Sequence, residues 1–362
     1  MEKLNNAELG YDSFFEDNRQ KMGRGDFSAA RVIAEHRGLY KIKNENGEFS
    51  AKITGKQMFA ALSREDYPAV GDWVAVRELD GEKAVIHSVL PRKTIIKRKY
   101  GNKNKAGEKD ETQIVAANVD VAFIVEAVNR DYSLNRLERY FALAGDGGVK
   151  PAIILNKIDL ISKKELDLKL AQINDRFKGF DVIATSVADG MGLDELKKRI
   201  IKGKTYCFLG SSGAGKSSLI NKLLGRDVIK TGDISLFSDR GKHITTSREM
   251  YFLDNRGIVI DNPGMREVGM AGAGAGIDVL FGEISVLAKK CKYADCAHIS
   301  EPGCEVLSAL NSGRIDQEKY SNYISLKKEA EYYKMTESEK REKDYRFGKF
   351  IKKAKKDLEK YK

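Results

Sequence analysis

Two short stretches decide the fold, NKIDL at residues 156–160 and GSSGAGKS at residues 210–217. The second fits G-x-x-x-x-G-K-[ST] at every fixed position, with the strand-like run TYCFLG before it and the helix-like run SSLINKLLG after it. In that setting Gly210, Ser211, Ser212, Gly213, Ala214, Gly215, Lys216, Ser217 and Ser218 are expected to cradle phosphates. The glycines let backbone amides converge on phosphate oxygens with no Cβ in the way. Lys216 then reaches the β and γ phosphates, and the Ser217 hydroxyl can ligate Mg2+.

NKIDL reads as the base-recognition partner of that loop. The Asp159 carboxylate can accept from both guanine N1–H and the exocyclic amine, a pattern that adenine lacks. Asn156 is expected at the O6/N7 side of the base and Lys157 along its plane. The Thr185-Ser186 end of the following strand is expected to offer a backbone N–H to O6. Further on, GIVID ends in Asp261-Asn262-Pro263-Gly264, a D-x-x-G. Its Asp can hold the water shell of Mg2+, and the Gly264 amide can sense a γ-phosphate. The nucleotide is therefore GTP rather than ATP.

A base reader normally lies downstream of the phosphate loop, and here it lies upstream. A ligand site at the carboxyl ends of a parallel sheet depends on where the strands lie, not on where the chain begins. Domain termini often lie close together, so the order reads as a circular permutation.

Around this centre the texture changes twice. From Gly25 to Arg98 short apolar runs alternate with turn residues, and Asn46-Gly47 is a hairpin signal between two of them. This predicts an all-β OB-fold barrel over 25–100, although an SH3-like barrel has the same texture, behind an N-terminal extension at 1–24. KRKYGNKNKAGEKDE (97–111) reads as an exposed loop or linker. From 110 to 285 aliphatic strands alternate with helical stretches, the pattern of an α/β parallel sheet. GAGAG at 272–276 has no strand leading into it and reads as a switch or hinge rather than a nucleotide loop. The remainder, 286–362, is mostly helical and dense in Lys and Glu, with Thr336 and Glu339 at capping-box spacing.

The 64 Lys and Arg exceed the 53 Asp and Glu by 11, which favours a polyanionic partner. No run is long and apolar enough for a membrane helix, and the first residues lack a signal-peptide layout, so a cytoplasmic protein with no membrane partner is expected. Nothing suggests more than a monomer. Three of the four cysteines crowd with a histidine as Cys291-x4-Cys296-x-His298-x5-Cys304. Three thiolates and an imidazole complete a closed tetrahedral shell, so one structural zinc is expected. Cys207 sits inside a strand and reads as core. On the barrel, Lys56, Phe59, Trp73, Arg92, Lys93 and Lys97 are of the types that bind RNA, with Trp73 favoured as core.

The permuted order, the barrel in front and the Cys/His cluster behind resemble the RsgA (YjeQ) family of small-ribosomal-subunit-dependent GTPases. The resemblance runs through VGDWV (70–74), PRKTIIKR (91–98), NVD (118–120), RLERY (136–140), SSGAGKSSLIN (211–221) and EPGC (301–304). It implies GTP hydrolysis stimulated by the small (30S) subunit, contact with its rRNA, and a role in its late maturation. Gly241-Lys242-His243-Ile244-Thr245-Thr246 is similar to the family's G-R-H-T-T-T switch, which makes Thr245 or Thr246 the Mg2+ ligand. Met265 follows Gly264 where many GTPases place a water-orienting Gln. A thioether cannot do that, so slow intrinsic turnover is expected, with His243 as the catalytic group that accepts the water's proton. The alternative is a GTP-gated rRNA-binding scaffold whose hydrolysis is incidental. An enzyme of the same permuted type acting at the large subunit is disfavoured by the barrel and the cluster.

Overall fold

The computed structural model describes residues 4–36, 38–100, 111–129, 132–230, 248–262, 274–336, 338–343, 345–346, 348–349 and 351. After helix α1 (Ser13–Lys21), five strands build the barrel: β1 (Ser28–His36), β2 (Leu39–Asn44), β3 (Gly47–Ile53), β4 (Trp73–Leu79) and β5 (Lys83–Val89). Helix α2 (Gly55–Ala60) follows β3. Asn46-Gly47 makes the expected hairpin, with Asn44 opposite Gly47. β3 pairs in parallel with β5, β5 pairs with β4, and β4 returns to β1, closing the sheet as an OB-type barrel. Closure removes the exposed strand edges that an open sheet of this size would carry.

Alternate positions point inward. Val32, Tyr40, Ile42, Val74, Val76 and Ile86 fill the barrel. Trp73 packs outside it with Ala75, Leu90 and two N-terminal residues, Leu9 and Phe15. It is fully buried, as favoured from sequence, and its ring meets Tyr11 edge-on at 4.6 Å. The N-terminal extension is thus part of the barrel's packing.

The segment read as a linker begins and ends in strands. β6 (Ile95–Tyr100) and β7 (Glu111–Ala117) pair antiparallel as a separate ribbon. The apolar positions Ile95, Ile96, Ile114 and Val115 supply that pairing, and the run of lysines around them hid the strand signal. Residues 101–110 lie outside the described residues.

The α/β layer follows as β8 (Val121–Ala127), α3 (Leu134–Asp146), β9 (Lys150–Asn156), α4 (Lys163–Arg176), β10 (Val182–Thr185), α5 (Leu193–Arg199), β11 (Thr205–Leu209), α6 (Lys216–Leu224), β12 (Glu249–Phe252) and β13 (Ile258–Asp261). The strand order is β10-β9-β8-β11-β13-β12, parallel throughout except for β12. Continuous aliphatic runs such as PAIILN and IVID suit strands buried on both faces. Their side chains join Leu219, Leu223 and Leu196 from α6 and α5 in one core. β12 also pairs with β1, Glu249 opposite Ala34, so the barrel and the α/β layer share one 11-stranded sheet.

The chain divides into two compact units, Met1–Gly269 and Met270–Lys362. The second contains α7 (Gly274–Leu280), α8 (Gly282–Ala288), α9 (Glu305–Asn311) and α10 (Gln317–Lys334). Residues 274–276 of the GAGAG run open α7, so that part is a helix start. The Thr336–Glu339 capping box forms, with the Glu339 carboxylate accepting from the Thr336 amide at 2.7 Å. Among the described residues no helix is long and apolar enough to cross a membrane.

Arg31 joins the parts of the first unit. Its side chain, on β1, is 1% exposed and donates to carbonyls of Leu9, Gly71 and Asn118 and to Thr205 Oγ1. These acceptors belong to the N-terminal segment, the turn before β4, the turn before β8 and the start of β11. Burial lowers the pKa to about 10, so the group stays charged at neutral pH. Replacing it as Arg31→Met orphans buried acceptors in all four places. The variant is expected to lose about 3 kcal/mol, read as a lower urea midpoint with an unchanged slope.

Candidate functional site

The carboxyl ends of β8, β9, β10, β11 and β13 bring together what the chain separates. The phosphate loop leaves β11 pressed against β8. At Gly210, φ is +145° and a Cβ would stand 2.3 Å from the Val125 carbonyl oxygen. Gly215, φ +96°, lies immediately before α6, and a Cβ there would come 2.3 Å from Asn156 Nδ2. Glycine at both positions is a requirement of close approach as well as of backbone angle.

Asn156 makes the join between the two motifs. Its Nδ2 donates to the Ala214 carbonyl at 2.9 Å, and its Oδ1 accepts from Thr185 Oγ1 at 3.0 Å. This buried side chain, expected at the O6/N7 side of a base, braces the phosphate loop against two base-side strands. A short amide at a strand end reaches the loop's carbonyl, and a buried amide must be satisfied. Lys157 has left-handed backbone angles, φ 64°, and its Cε lies 3.8 Å from where a Gly215 Cβ would be.

Asp159 is oriented by Ser186, whose hydroxyl donates to its carboxylate at 2.6 Å. The Ser186 amide, expected to face guanine O6, donates to the Met191 carbonyl at 2.9 Å. A tight turn closes over residues 186–191 and takes that amide for itself, while the Ser186 hydroxyl stays on Asp159.

On the phosphate side, Lys216 folds back on its own loop. Its Nζ donates to the carbonyls of Gly210 at 2.9 Å and Ser211 at 2.7 Å. Burial pulls its pKa down to about 8. Ser217 Oγ donates to Asp261 Oδ2 at 3.3 Å. Burial raises the Asp261 pKa, and its Oδ1 is buried with no hydrogen-bond partner among the described residues. Ser212, Gly213 and Ser218 lie in the loop and the first turn of α6 as expected. Gly264, His243, Thr245 and Thr246 lie outside the described residues.

In the second unit the four expected ligands converge. One donor atom from each of Cys291, Cys296, His298 and Cys304 lies within 4.8 Å of all the others. His298 Nδ1 is 3.6 Å from Cys291 Sγ and 3.5 Å from Cys304 Sγ, and the two sulfurs are 3.8 Å apart. A tetrahedral shell with metal–sulfur bonds of about 2.3 Å has edges of about 3.5–3.8 Å, so the set could hold a metal ion. Its frame is polar and specific. The Glu301 carboxylate accepts the amides of Ala297, Ile299 and Ser300 at 2.9–3.0 Å, and Tyr320 Oη donates to the His298 carbonyl at 2.6 Å. Those bonds hold His298 at φ 60°, a strained angle for a non-glycine residue.

Comparison with known proteins agrees with this geometry. The model of the RsgA GTPase family matches residues 89–271. A small ribosomal subunit biogenesis GTPase, RsgA 1, of Bacteroides thetaiotaomicron is 37% identical over 332 residues, covering 91% of each chain. RsgA 2 of Lactiplantibacillus plantarum is 40% identical over 302 residues, covering 83% of each. The chain belongs to the RsgA GTPase family. Among solved structures, YjeQ from Thermotoga maritima aligns with a TM-score of 0.60 at 26% identity, over 83% of this chain and 98% of that one. YloQ, a circularly permuted GTPase, shares the fold with a TM-score of 0.57 at 20% identity, over 84% and 95%.

An RsgA GTPase requires Mg2+ beside its phosphates, and the residues here fit it. Asp261 Oδ1, which has no hydrogen-bond partner among the described residues, and the Ser217 hydroxyl offer oxygen donors on one side of the loop. The RNA-type residues on the barrel divide. Arg92 is a structural residue: it pairs with buried Asp72 at 2.7 and 2.8 Å and donates to the Glu65 and Tyr67 carbonyls, so it is not free to face RNA. Lys93 pairs with Asp12 and lies over the Phe14 and Phe15 rings. Lys56 is exposed on α2, and Phe59 is 94% exposed. Glu301 escaped the sequence reading because it acts through its neighbours' amides; the E-P-G turn before Cys304 was the one available signal.

In this RsgA GTPase the lowered Lys216 pKa has a consequence for binding. Phosphate oxygens favour the ammonium, so nucleotide raises the pKa from its free value of about 8. Affinity is then flat below that pH and falls as pH rises through it. GDP titrations are expected to show about a fivefold loss across the next pH unit.

Proposed function

We propose that this protein docks on the small ribosomal subunit during its late maturation, hydrolyses GTP there under stimulation by the subunit, and is released. The observation that carries the reading is the joining of base reader to phosphate loop through Asn156 in a chain that matches relatives named for small-subunit biogenesis over most of its length. It acts in the cytoplasm as a monomer, through four parts: an extension (1–24), the barrel (25–100), the permuted GTPase region (110–285) and a metal-binding helical region (286–362).

Guanine is held by Asp159, which Ser186 aims, with Lys157 along the base. Lys216, held by the Gly210 and Ser211 carbonyls, turns its remaining ammonium N–H to the β and γ phosphates, while amides from Gly213 to Ser218 take the rest. Ser217 and either Thr245 or Thr246 would hold Mg2+, with Asp261 beside it, and the ion would supply positive charge against the phosphates. Gly264 contacts the γ-phosphate. His243 accepts the proton of the attacking water, a task Met265 cannot perform. The Cys/His cluster holds one structural zinc. Lys56 and Phe59 on α2, and Lys97 on β6, face rRNA, where charge and stacking together give salt-dependent affinity.

GTP turnover is expected to rise strongly with small subunits and not with large ones, and to lose that rise in His243→Ala. Turnover that stays slow on the small subunit would leave a GTP-gated RNA-binding scaffold. Metal analysis is expected to give one zinc per chain, lost in Cys291→Ser together with the melting transition of the C-terminal unit. Full stability in a metal-free Cys291→Ser protein would remove the zinc assignment.

A further inference from the structure

One charged side chain at the phosphate loop has no part in the site so far. Arg136 lies in the first turn of α3, where its charge opposes the helix dipole, and its amide donates to the capping Ser133 hydroxyl at 3.3 Å. Its Nη1 sits 3.6 Å from Glu126 Oε1, at the end of β8, and the Glu126 side chain is 1% exposed. The same oxygen accepts the Ser133 amide at 2.9 Å, so one buried carboxylate fixes both the helix start and the arginine. On its other side Nη1 lies 3.5 Å from Ser211 Oγ, in the second residue of the phosphate loop.

The loop itself shows which end of the nucleotide this is. Lys216 Nζ is 2.7 Å from the Ser211 carbonyl, and the lysine of such a loop serves the β and γ phosphates. Ser211, and the guanidinium beside it, therefore stand at the terminal-phosphate end.

We propose that Arg136 is a cationic ligand of the terminal phosphate, supplied by the chain itself, that turns from Ser211 Oγ onto the γ-phosphate when GTP is bound. This rests on the GTP site described above. A contact of 3.5 Å to a neutral hydroxyl is weak, and a charged phosphate oxygen is a far better acceptor. In hydrolysis the water oxygen bonds to the γ-phosphorus, the bond from that phosphorus to the bridging oxygen breaks with its electron pair passing to GDP, and the water's proton passes to the base. Negative charge grows on the bridging and γ oxygens, and a guanidinium held there by Glu126 meets it without reorganisation. Met265 in place of a water-orienting amide leaves more of the rate to such charge stabilisation.

The test uses the full chain with Arg136→Ala and Arg136→Lys, measuring GDP affinity, affinity for a non-hydrolysable GTP analogue, and hydrolysis on small subunits. Arg136→Ala is expected to leave GDP affinity within about twofold, weaken the analogue about tenfold, and lower kcat on the order of 10²-fold. Arg136→Lys is expected to recover analogue affinity more than rate. Equal losses for GDP and the analogue with a lower Tm would make Arg136 a structural clip and overturn the proposal, as would no change in either. If wild-type protein shows no stimulated turnover the ribosomal reading fails, while the analogue-to-GDP ratio still decides the role of Arg136.

Discussion

The first unit depends on one buried amide. Asn156 stands at the end of β9, 58 residues before the carbonyl that accepts its hydrogen bond, and Gly215 has no Cβ because that amide occupies the space. With its other atom on Thr185, the side chain ties β9, β10 and the phosphate loop into one rigid corner. A base and a triphosphate are a fixed distance apart, so a site that reads both must fix the distance between its halves. The Asn156 bonds to Ala214 and Thr185 set that distance directly, across 58 residues of chain.

The same logic extends to the barrel. β12 pairs with β13 on one side and with β1 on the other, and β13 ends in Asp261. Strand β12 is thereby hydrogen-bonded to both the α/β sheet and the barrel. Arg31 reinforces the first unit with four neutral acceptors, and the charges of Asp120 and Asp72 act on it as well. A cation hydrogen-bonded by carbonyls and a hydroxyl is tolerant of burial when every N–H has a partner, and intolerant of losing any one of them. The barrel and the GTPase sheet are coupled through backbone and buried polar contacts rather than through a flexible linker.

Much of this was legible because local chemistry and distant packing agree. The glycines of the loop, the aliphatic strands of a two-face-buried sheet, the Asn46-Gly47 turn and the spacing of Cys291, Cys296, His298 and Cys304 each state their structure within a few residues. The failures share a cause as well. Arg92 looked like an RNA ligand because its partner, Asp72, lies 20 residues away and is paired only by the fold. The β6–β7 ribbon looked like a linker because Lys97, Arg98 and Lys99 run straight into a Gly-, Asn- and Lys-rich stretch that hides the strand ends. The Ser186 amide was placed at the base by its position, but its hydrogen bond goes to Met191, a neighbour brought there by a turn that sequence does not reveal.

What remains unsatisfied in the site points to its ligand. Nearly every buried polar group in a folded chain is paired, so exceptions need a reason. Asp261 carries a buried oxygen with no partner among the described residues, and Lys216 is buried enough to lose much of its affinity for a proton. Both costs fall on groups that face the phosphates, and both are relieved by the same event. A cation beside Asp261 and phosphate oxygens beside Lys216 restore the charges that burial disfavours. Burial of Asp261 and Lys216 thus favours a ligand that brings a cation to one and phosphate oxygens to the other. Guanine recognition carries no such cost, since Asp159 already has its hydroxyl partner. The base half is pre-formed, and the phosphate half is completed by the nucleotide.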